Sequence, residues 1–408
     1  MGGTNPPRKE RHMDANIFVV DGARTPFGSF GGSFKDTSAI DLGTAAAAAA
    51  VERAGYTTDD VDQVFFGNVI QTSADAIYMA RHVGLKAGLP QEVPALTLNR
   101  LCGSGLQAMV SGAQAMLLGE AGVVLAGGAE NMSQAPYVVR GARWGLRMGN
   151  TEFQDYLWEA LTDPFCGCDM ANTAENLAEQ YGITRQEVDE YALRSQQATA
   201  AAQEKCYFTA EIVPVEVKGK RGPVTVDRDE HPRPDTNAEI LAKLPPVFRK
   251  NGVVTAGNAS GIVDGAAAVV LATEEALEHR QAIGRIVSWS VVGVDPRIMG
   301  IGPARSIPAA LQRAGLLLDD IDLIEINEAF SAQYLAVEKE LDLDRNKVNV
   351  NGGAIAIGHP LGATGSRLGL TLLYELRRRG GHFGVASACI GGGQGIAVVF
   401  EALPAAAR

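Results

Sequence analysis

Arg53-Ala-Gly-Tyr-Thr-Thr-Asp-Asp-Val-Asp-Gln-Val-Phe-Phe-Gly-Asn68 returns 260 residues later as Arg313-Ala-Gly-Leu-Leu-Leu-Asp-Asp-Ile-Asp-Leu-Ile-Glu-Ile-Asn-Glu328. Each copy reads as a helix stopped by glycine, an acidic turn and a buried strand. The same offset sets Leu101–Gly105 on Leu361–Gly365 and Val123–Ala129 on Phe383–Cys389. Three blocks sharing one offset make the chain a duplicated α/β unit. Such a duplication turns the two strand-to-helix junctions, near residues 102 and 359, towards each other.

The material between the copies breaks the pattern and sets the expected organisation. Residues 14–131 and 263–283 form an N-terminal half, 132–262 an inserted loop domain, 284–408 a C-terminal half, and 1–13 a leader. Within the insertion, helices are predicted over 173–181 and 185–205. Thr184-Arg-Gln-Glu187 caps the second, and Val188, Tyr191, Ala192 and Ser195 share one face. The Pro- and charge-rich stretch 214–236 reads as loops and short edge strands. Its Lys218, Lys220, Arg221, Arg228 and Arg233 form either a cationic patch suited to a phosphorylated small ligand or an ordinary solvated loop.

A chain of 408 residues, 46% hydrophobic and 20% charged, reads as a soluble enzyme of more than one domain. The net charge of −11 argues against nucleic acid or an anionic membrane as partner. No apolar run approaches the ~18 residues of a membrane span. The cysteines at 102, 166, 168, 206 and 389 form no disulfide framework, so a reducing, cytoplasmic location is expected. Cys166-Gly-Cys168 lacks a second ligand pair, and no metal is expected there.

Three residues carry the chemistry. Cys102, in Asn-Arg-Leu-Cys-Gly-Ser-Gly (99–105), precedes a helix whose dipole should lower its pKa and favour thiolate. His359, in Gly-His-Pro (358–360), occupies the equivalent junction of the second copy and is placed for proton transfer. Cys389 ends a strand before three glycines, whose N–H groups could hold an oxyanion. Asn327, in Asn-Glu-Ala-Phe (327–330), closes another strand and could hold a water or a carbonyl oxygen, with Glu328 and Phe330 as helix-start residues. His12, His231, His279 and His382 read as exposed.

Taken in order, Asn-Arg-Leu-Cys-Gly-Ser-Gly (99–105), Gly-Gly-Ala-Glu-Asn-Met-Ser (127–133), Asn-Ala-Ser-Gly (258–261), Asn-Glu-Ala-Phe (327–330), Gly-His-Pro (358–360) and Cys-Ile-Gly-Gly-Gly-Gln-Gly (389–395) resemble the thiolase family. The likeness runs from about Ile17 to the end. Ser73–Leu85 and Met299–Pro303 look most like the mitochondrial-type 3-ketoacyl-CoA branch. The resemblance implies the five-layered αβαβα thiolase fold with a loop domain inserted in the first half. It implies reversible, CoA-dependent cleavage of 3-ketoacyl-CoA through an acyl-cysteine at Cys102, with His359 as its base and Cys389 as the second acid/base. One oxyanion site would use His359 and a water on Asn327, the other the N–H groups of Cys102 and Gly391. Coenzyme A, a substrate rather than a cofactor, would meet Arg233, Leu244, Ser260, Gly261 and Met170, with Phe330 near the thioester. A homodimer or homotetramer is expected. Asp169 departs from the histidine that acetoacetyl-specific thiolases place before this methionine, which weakens a short-chain acetyltransferase reading. A decarboxylating condensing enzyme, a cysteine hydrolase and a catalytically silent acyl-CoA-binding protein are the competing readings; none of them explains the full set of Cys102, His359 and Cys389.

Overall fold

The computed structural model describes residues 16–219 and 221–404, so the expected leader, His12 and Lys220 lie outside the described residues. The N-terminal half contains β1 (Ile17–Arg24), α1 (Ala39–Arg53), β2 (Gln63–Gly67), β3 (Ala95–Leu98), α2 (Ser104–Leu117) and β4 (Val123–Asn131). The intervening segment carries α3 (Met170–Tyr181) and α4 (Arg185–Glu204), and β5 (Val263–Thr273) returns to the first half. The second half follows as β6 (Gly284–Gly293), α5 (Gly302–Ala314), β7 (Leu323–Ile326), α6 (Ser331–Leu341), α7 (Leu361–Arg379), β8 (Phe383–Ile390) and β9 (Gln394–Ala402).

The repeat is realised residue for residue. α1 and α5 are each followed by a left-handed glycine, Gly55 and Gly315, at φ 69° and 68°. The acidic turns then close through Asp60, which accepts the Thr57 N–H at 2.7 Å, and Asp320, which accepts the Leu317 N–H at 2.8 Å. β2 pairs in parallel with β3 and β4, and β7 pairs in parallel with β8.

Strand alternation assigns the layers. Val123 and Leu125 of β4 face α1, while Val124 and Ala126 face a central layer made of α2 and α7. On the far side, Ala386 and Val398 face that central layer, and Val385 and Val399 face α5. The order helix, sheet, helix pair, sheet, helix gives the five layers. The strands run β7-β8-β9-β6-β1-β5-β4-β2-β3 as one hydrogen-bonded sheet. Within the sheet, the two halves meet where Ile17–Val19 pair with Gly284–Ile286.

At the centre, α2 and α7 cross through the pseudo-equivalent glycines Gly105 and Gly365. A methyl on Gly365 would lie 2.1 Å from the Leu106 nitrogen, and one on Gly105 would lie 2.4 Å from the Ser366 nitrogen. Only backbones without side chains can approach so closely. This crossing brings the two junctions together, as the duplication predicted.

The predicted helices appear at 170–181 and 185–204, the second with its Thr184–Glu187 capping box. The charged stretch forms a hairpin, Val215–Gly219 against Gly222–Val226, whose Val215 and Val226 pack into the α1 cluster. Buried Arg24 of β1 anchors the segments on either side of the hairpin, bonding Glu211 at 2.6 Å and Asp229 at 2.7 and 2.9 Å. No described helix is long and apolar enough to cross a membrane.

Candidate active site

The first junction is bent by force. Leu101 adopts φ 46°, a left-handed conformation that leucine rarely takes. Its N–H donates to Asn99 Oδ1 at 2.8 Å and its carbonyl accepts Ser104 Oγ–H at 2.7 Å. The bend ends β3 and lets a 3₁₀ turn, Leu101–Gly103, lead into α2. Cys102 therefore sits in a turn before the helix, 9% exposed, among Val69, Ile70, Met132, Leu157 and Leu361.

The expected thiolate is not the resting state. Burial pushes the Cys102 thiol up to about 11, outweighing the N–H groups of Gly391 and of Cys102 itself, which favour the anion. Those N–H groups are the pair anticipated for an oxyanion. A Cβ on Gly391 would meet Leu101 Cδ1 at 3.2 Å and Met170 Sδ at 3.3 Å, so glycine keeps this opening clear.

The second junction presents His359, 6% exposed, just before α7. Its Nδ1 lies 2.6 Å from Thr364 Oγ1, and its Nε2 lies 3.2 Å from Asn327 Nδ2. Burial, and then the charge of Arg367, hold the imidazole down to about 3, so it rests neutral. Asn327 Oδ1 is buried without a protein partner among the described residues. Among those residues no direct hydrogen bond joins the Cys102 sulfur to the imidazole; Leu361, two residues past His359, packs beside Cys102.

Cys389 is fully buried at the end of β8, with Met299 and Ala329 around it and Met170 and Phe330 alongside. Burial, and then the proximity of Cys102, push its thiol far up, so it rests as an acid.

The expected coenzyme A residues divide. The Ser260 N–H donates to the Ala329 carbonyl, and Ala259 bridges Phe330. The Gly261 carbonyl accepts the His359 N–H at 2.9 Å. Ser260, Gly261, Met170 and Phe330 thus gather around the thiols and imidazole. Leu244 stands further along the same segment, against Gly257. Arg233 is exposed and tied through its N–H to Gln196. The described cations of the charged stretch sit on different supports. Lys218 and Arg221 ride on the hairpin anchored to the α1 cluster, whereas Arg233 lies beside α4. A cavity of about 510 Å³ opens beside Leu101, lined by Val69, Asn99, Tyr156, Ala160 and Pro164.

Other roles emerge only from the structure. Glu328 is no helix-start residue: it accepts Tyr191 O–H and Ser195 O–H at 2.7 Å each, and the Ile355 N–H at 3.1 Å. Glu130 fastens the loop after β2 to the start of α7, accepting N–H groups from Val69 and Ile70 on one side and Gly362 on the other. His231 is half-buried rather than exposed, with Nδ1 2.8 Å from the Ala356 carbonyl and its ring against Gly261. Asp169 caps α3 by accepting the Asn172 N–H at 2.8 Å, which fixes Met170 at the first turn. Met299 and Thr364 lay within motifs already quoted; the bend at Leu101 had no signal in residue type.

A family model of the thiolase N-terminal domain matches residues 17–275, and one of the thiolase C-terminal domain matches 280–402. The mitochondrial 3-ketoacyl-CoA thiolase of Homo sapiens is 56% identical over 388 residues, covering 94% of this chain and 98% of the relative. A beta-ketothiolase of Cupriavidus necator is 50% identical over 392 residues, covering 95% of this chain and 100% of the relative. The crystal structure of human mitochondrial 3-ketoacyl-CoA thiolase in complex with CoA superposes with a TM-score of 0.95 at 54% identity, covering 97% of this chain and all of that one. The expected cytoplasmic location is overturned here. The relatives from Homo sapiens, Pongo abelii and Bos taurus, at 54–56% identity, are named as mitochondrial enzymes.

Proposed function

The chain belongs to the thiolase family, and from that premise we propose that Cys102, His359 and Cys389 carry its acyltransferase chemistry. The reaction is thiolytic cleavage of 3-ketoacyl-CoA to acetyl-CoA and a shortened acyl-CoA. The observation that supports these roles best is the convergence of the three groups. Leu361, two residues past His359, packs beside Cys102, and Met170 and Phe330 stand beside Cys389.

Each group then has one task. His359 Nε2 takes the Cys102 proton as the sulfur attacks the 3-keto carbon. The C2–C3 bond breaks, and Cys389 protonates the departing acetyl-CoA enolate at carbon. The thiol of free coenzyme A then gives its proton to Cys389 and attacks the acyl-cysteine. Cys102 leaves as a thiolate and recovers its proton from His359. Each oxyanion needs donors already in place. His359 with a water on Asn327 serves one, and the N–H groups of Cys102 and Gly391 serve the other. Ser260, Gly261, Met170 and Phe330 wall the thioester end, with Leu244 and Arg233 further along coenzyme A. No metal or resident cofactor enters these steps.

The cavity beside Leu101 and the use of Asp169 as a helix cap favour acyl chains longer than acetyl and a role in fatty-acid breakdown. A homodimer or homotetramer remains the expected assembly.

Intact-protein mass spectrometry separates the two cysteines. Cys102→Ser should form no acyl-enzyme with acetyl-CoA. Cys389→Ser should still be acylated but fail to cleave 3-ketoacyl-CoA. Rapid acylation of both variants would sink the assignment. Rates on acetoacetyl-CoA and on long-chain 3-ketoacyl-CoA decide chain length, and activity confined to acetoacetyl-CoA would refute the broad reading.

A further inference from the structure

His359 has two nitrogens, and the proposed reaction needs the lone pair on one of them in particular. We propose that Thr364 is a positioning residue that fixes His359 as the Nδ1–H tautomer and so aims the Nε2 lone pair into the site. The inference rests on the proposed role of His359 as base.

One arrangement satisfies every contact around the ring. Thr364 Oγ–H donates to the Pro360 carbonyl at 3.0 Å, four residues back in the first turn of α7. A hydroxyl has a single proton, so with that proton on the Pro360 carbonyl the oxygen accepts at its 2.6 Å contact with His359 Nδ1. Nδ1 therefore carries the hydrogen and Nε2 is bare. The other side of the ring agrees, because Asn327 turns its amide nitrogen, a donor, towards Nε2 at 3.2 Å. Thr364 is fully buried, so no solvent competes for the hydroxyl.

The duplication supplies an internal comparison. The pseudo-equivalent of Thr364 is Ser104, whose Oγ–H also donates to a carbonyl at the start of its helix, that of Leu101, at 2.7 Å. Its lone pair accepts a backbone N–H, that of Arg100, at 2.9 Å. Both hydroxyls therefore donate to a backbone carbonyl and accept from an N–H. In the first half the accepted group is a peptide, and in the second it is the imidazole.

Rapid-quench acylation by acetyl-CoA, read by intact mass, tests the proposal in three proteins. Thr364→Val keeps the shape but offers no acceptor. It should slow Cys102 acylation by roughly ten- to a hundredfold, a part of the 10²–10⁴ that a positioned base contributes, with the substrate KM little changed. Thr364→Ser should return to within a few-fold of wild type. Acylation of Thr364→Val at the wild-type rate overturns the proposal, as does a Thr364→Ser variant as slow as Thr364→Val. Should Thr364→Val fail to fold, nitrogen NMR of ¹⁵N-histidine-labelled wild type decides the question. The His359 signals, assigned by their loss in His359→Asn, should show a protonated Nδ1 at neutral pH, and a protonated Nε2 overturns the proposal. Absence of any acyl-enzyme in the wild type would instead refute the underlying role of Cys102, a separate outcome.

Discussion

Replacing Gly365 with alanine tests whether the crossing of α2 and α7 sets the geometry of the site. The added methyl would sit 2.1 Å from the Leu106 nitrogen and 2.8 Å from the Gly105 carbonyl carbon. Ordinary contact begins near 3.4 Å, so the helices must part by about 1.3 Å. Neither neighbour is a flexible side-chain end that could turn away. Overpacking of this kind costs about 1–3 kcal/mol or more. The larger effect falls on catalysis, because Cys102 lies three residues before Gly105 and His359 six before Gly365. A displacement of about 1 Å at a reacting pair can cost about a hundredfold in rate. The assay is acyl-enzyme formation in Gly365→Ala, alongside its thermal unfolding. Gly369→Ala, one turn further along α7, is the control. Its methyl would meet only Phe400 Cζ at 3.2 Å and the Met109 side chain at 3.3 Å, so near-wild-type behaviour is expected. Wild-type melting and acylation in Gly365→Ala would refute the reasoning.

Three further outcomes follow from buried charge. With its thiol at about 11, Cys102 should be alkylated by iodoacetamide at a rate that climbs about tenfold per pH unit through pH 6–9; a plateau below pH 9 would show a resting thiolate. Burial raises Glu130 from 4.5 to about 7, against the N–H groups of Ile70, Gly362 and Val69 that favour the anion. The folded state therefore holds a proton that the unfolded state has already lost. At about 1.4 kcal/mol per unit, this stabilisation of about 3 kcal/mol is complete below pH 4.5 and lost as pH rises to 7. Denaturant titrations should show this slope flattened in Glu130→Gln, and an unchanged slope would contradict it. Arg24→Ala leaves Glu211 and Asp229 buried without their cation and should destabilise by about 3–5 kcal/mol in urea, and a loss under about 1 kcal/mol would be inconsistent with the pairing.

The duplication was legible because one offset survives in residues whose types are physically constrained. Gly55 and Gly315 must be left-handed, and Asp60 and Asp320 must close their turns. Cys102, Cys389 and Asn327 were singled out for a similar reason, since each stands where a strand gives way to a turn or helix, whereas His359, expected at such a junction, follows the one-turn helix Ala354–Ile357 instead. What the sequence hid is set by burial and partners. The helix dipole at Cys102 pointed to a thiolate, but the sulfur sits in a turn ahead of the helix, where desolvation dominates. Glu328, His231 and Arg24 owe their roles to groups more than a hundred residues away, which no local pattern reports. Lys218 and Arg221 are near Arg233 in sequence, yet they ride on a hairpin packed against the α1 cluster while Arg233 is tied to Gln196 of α4. The motifs named the candidate residues; their resting protonation depends on packing that no motif reports.

The left-handed bend at Leu101 places a trade-off at a single position. A non-glycine residue held there stores strain of about 1–3 kcal/mol, maintained by Asn99 and Ser104. A glycine would release that strain, yet it would also remove the Leu101 side chain that stands against Gly391 and loosen the aim of the next residue. Selection for thermal robustness and selection for turnover therefore pull Leu101 in opposite directions. Libraries screened only for stability should drift away from leucine at this position, and libraries screened for activity should retain it.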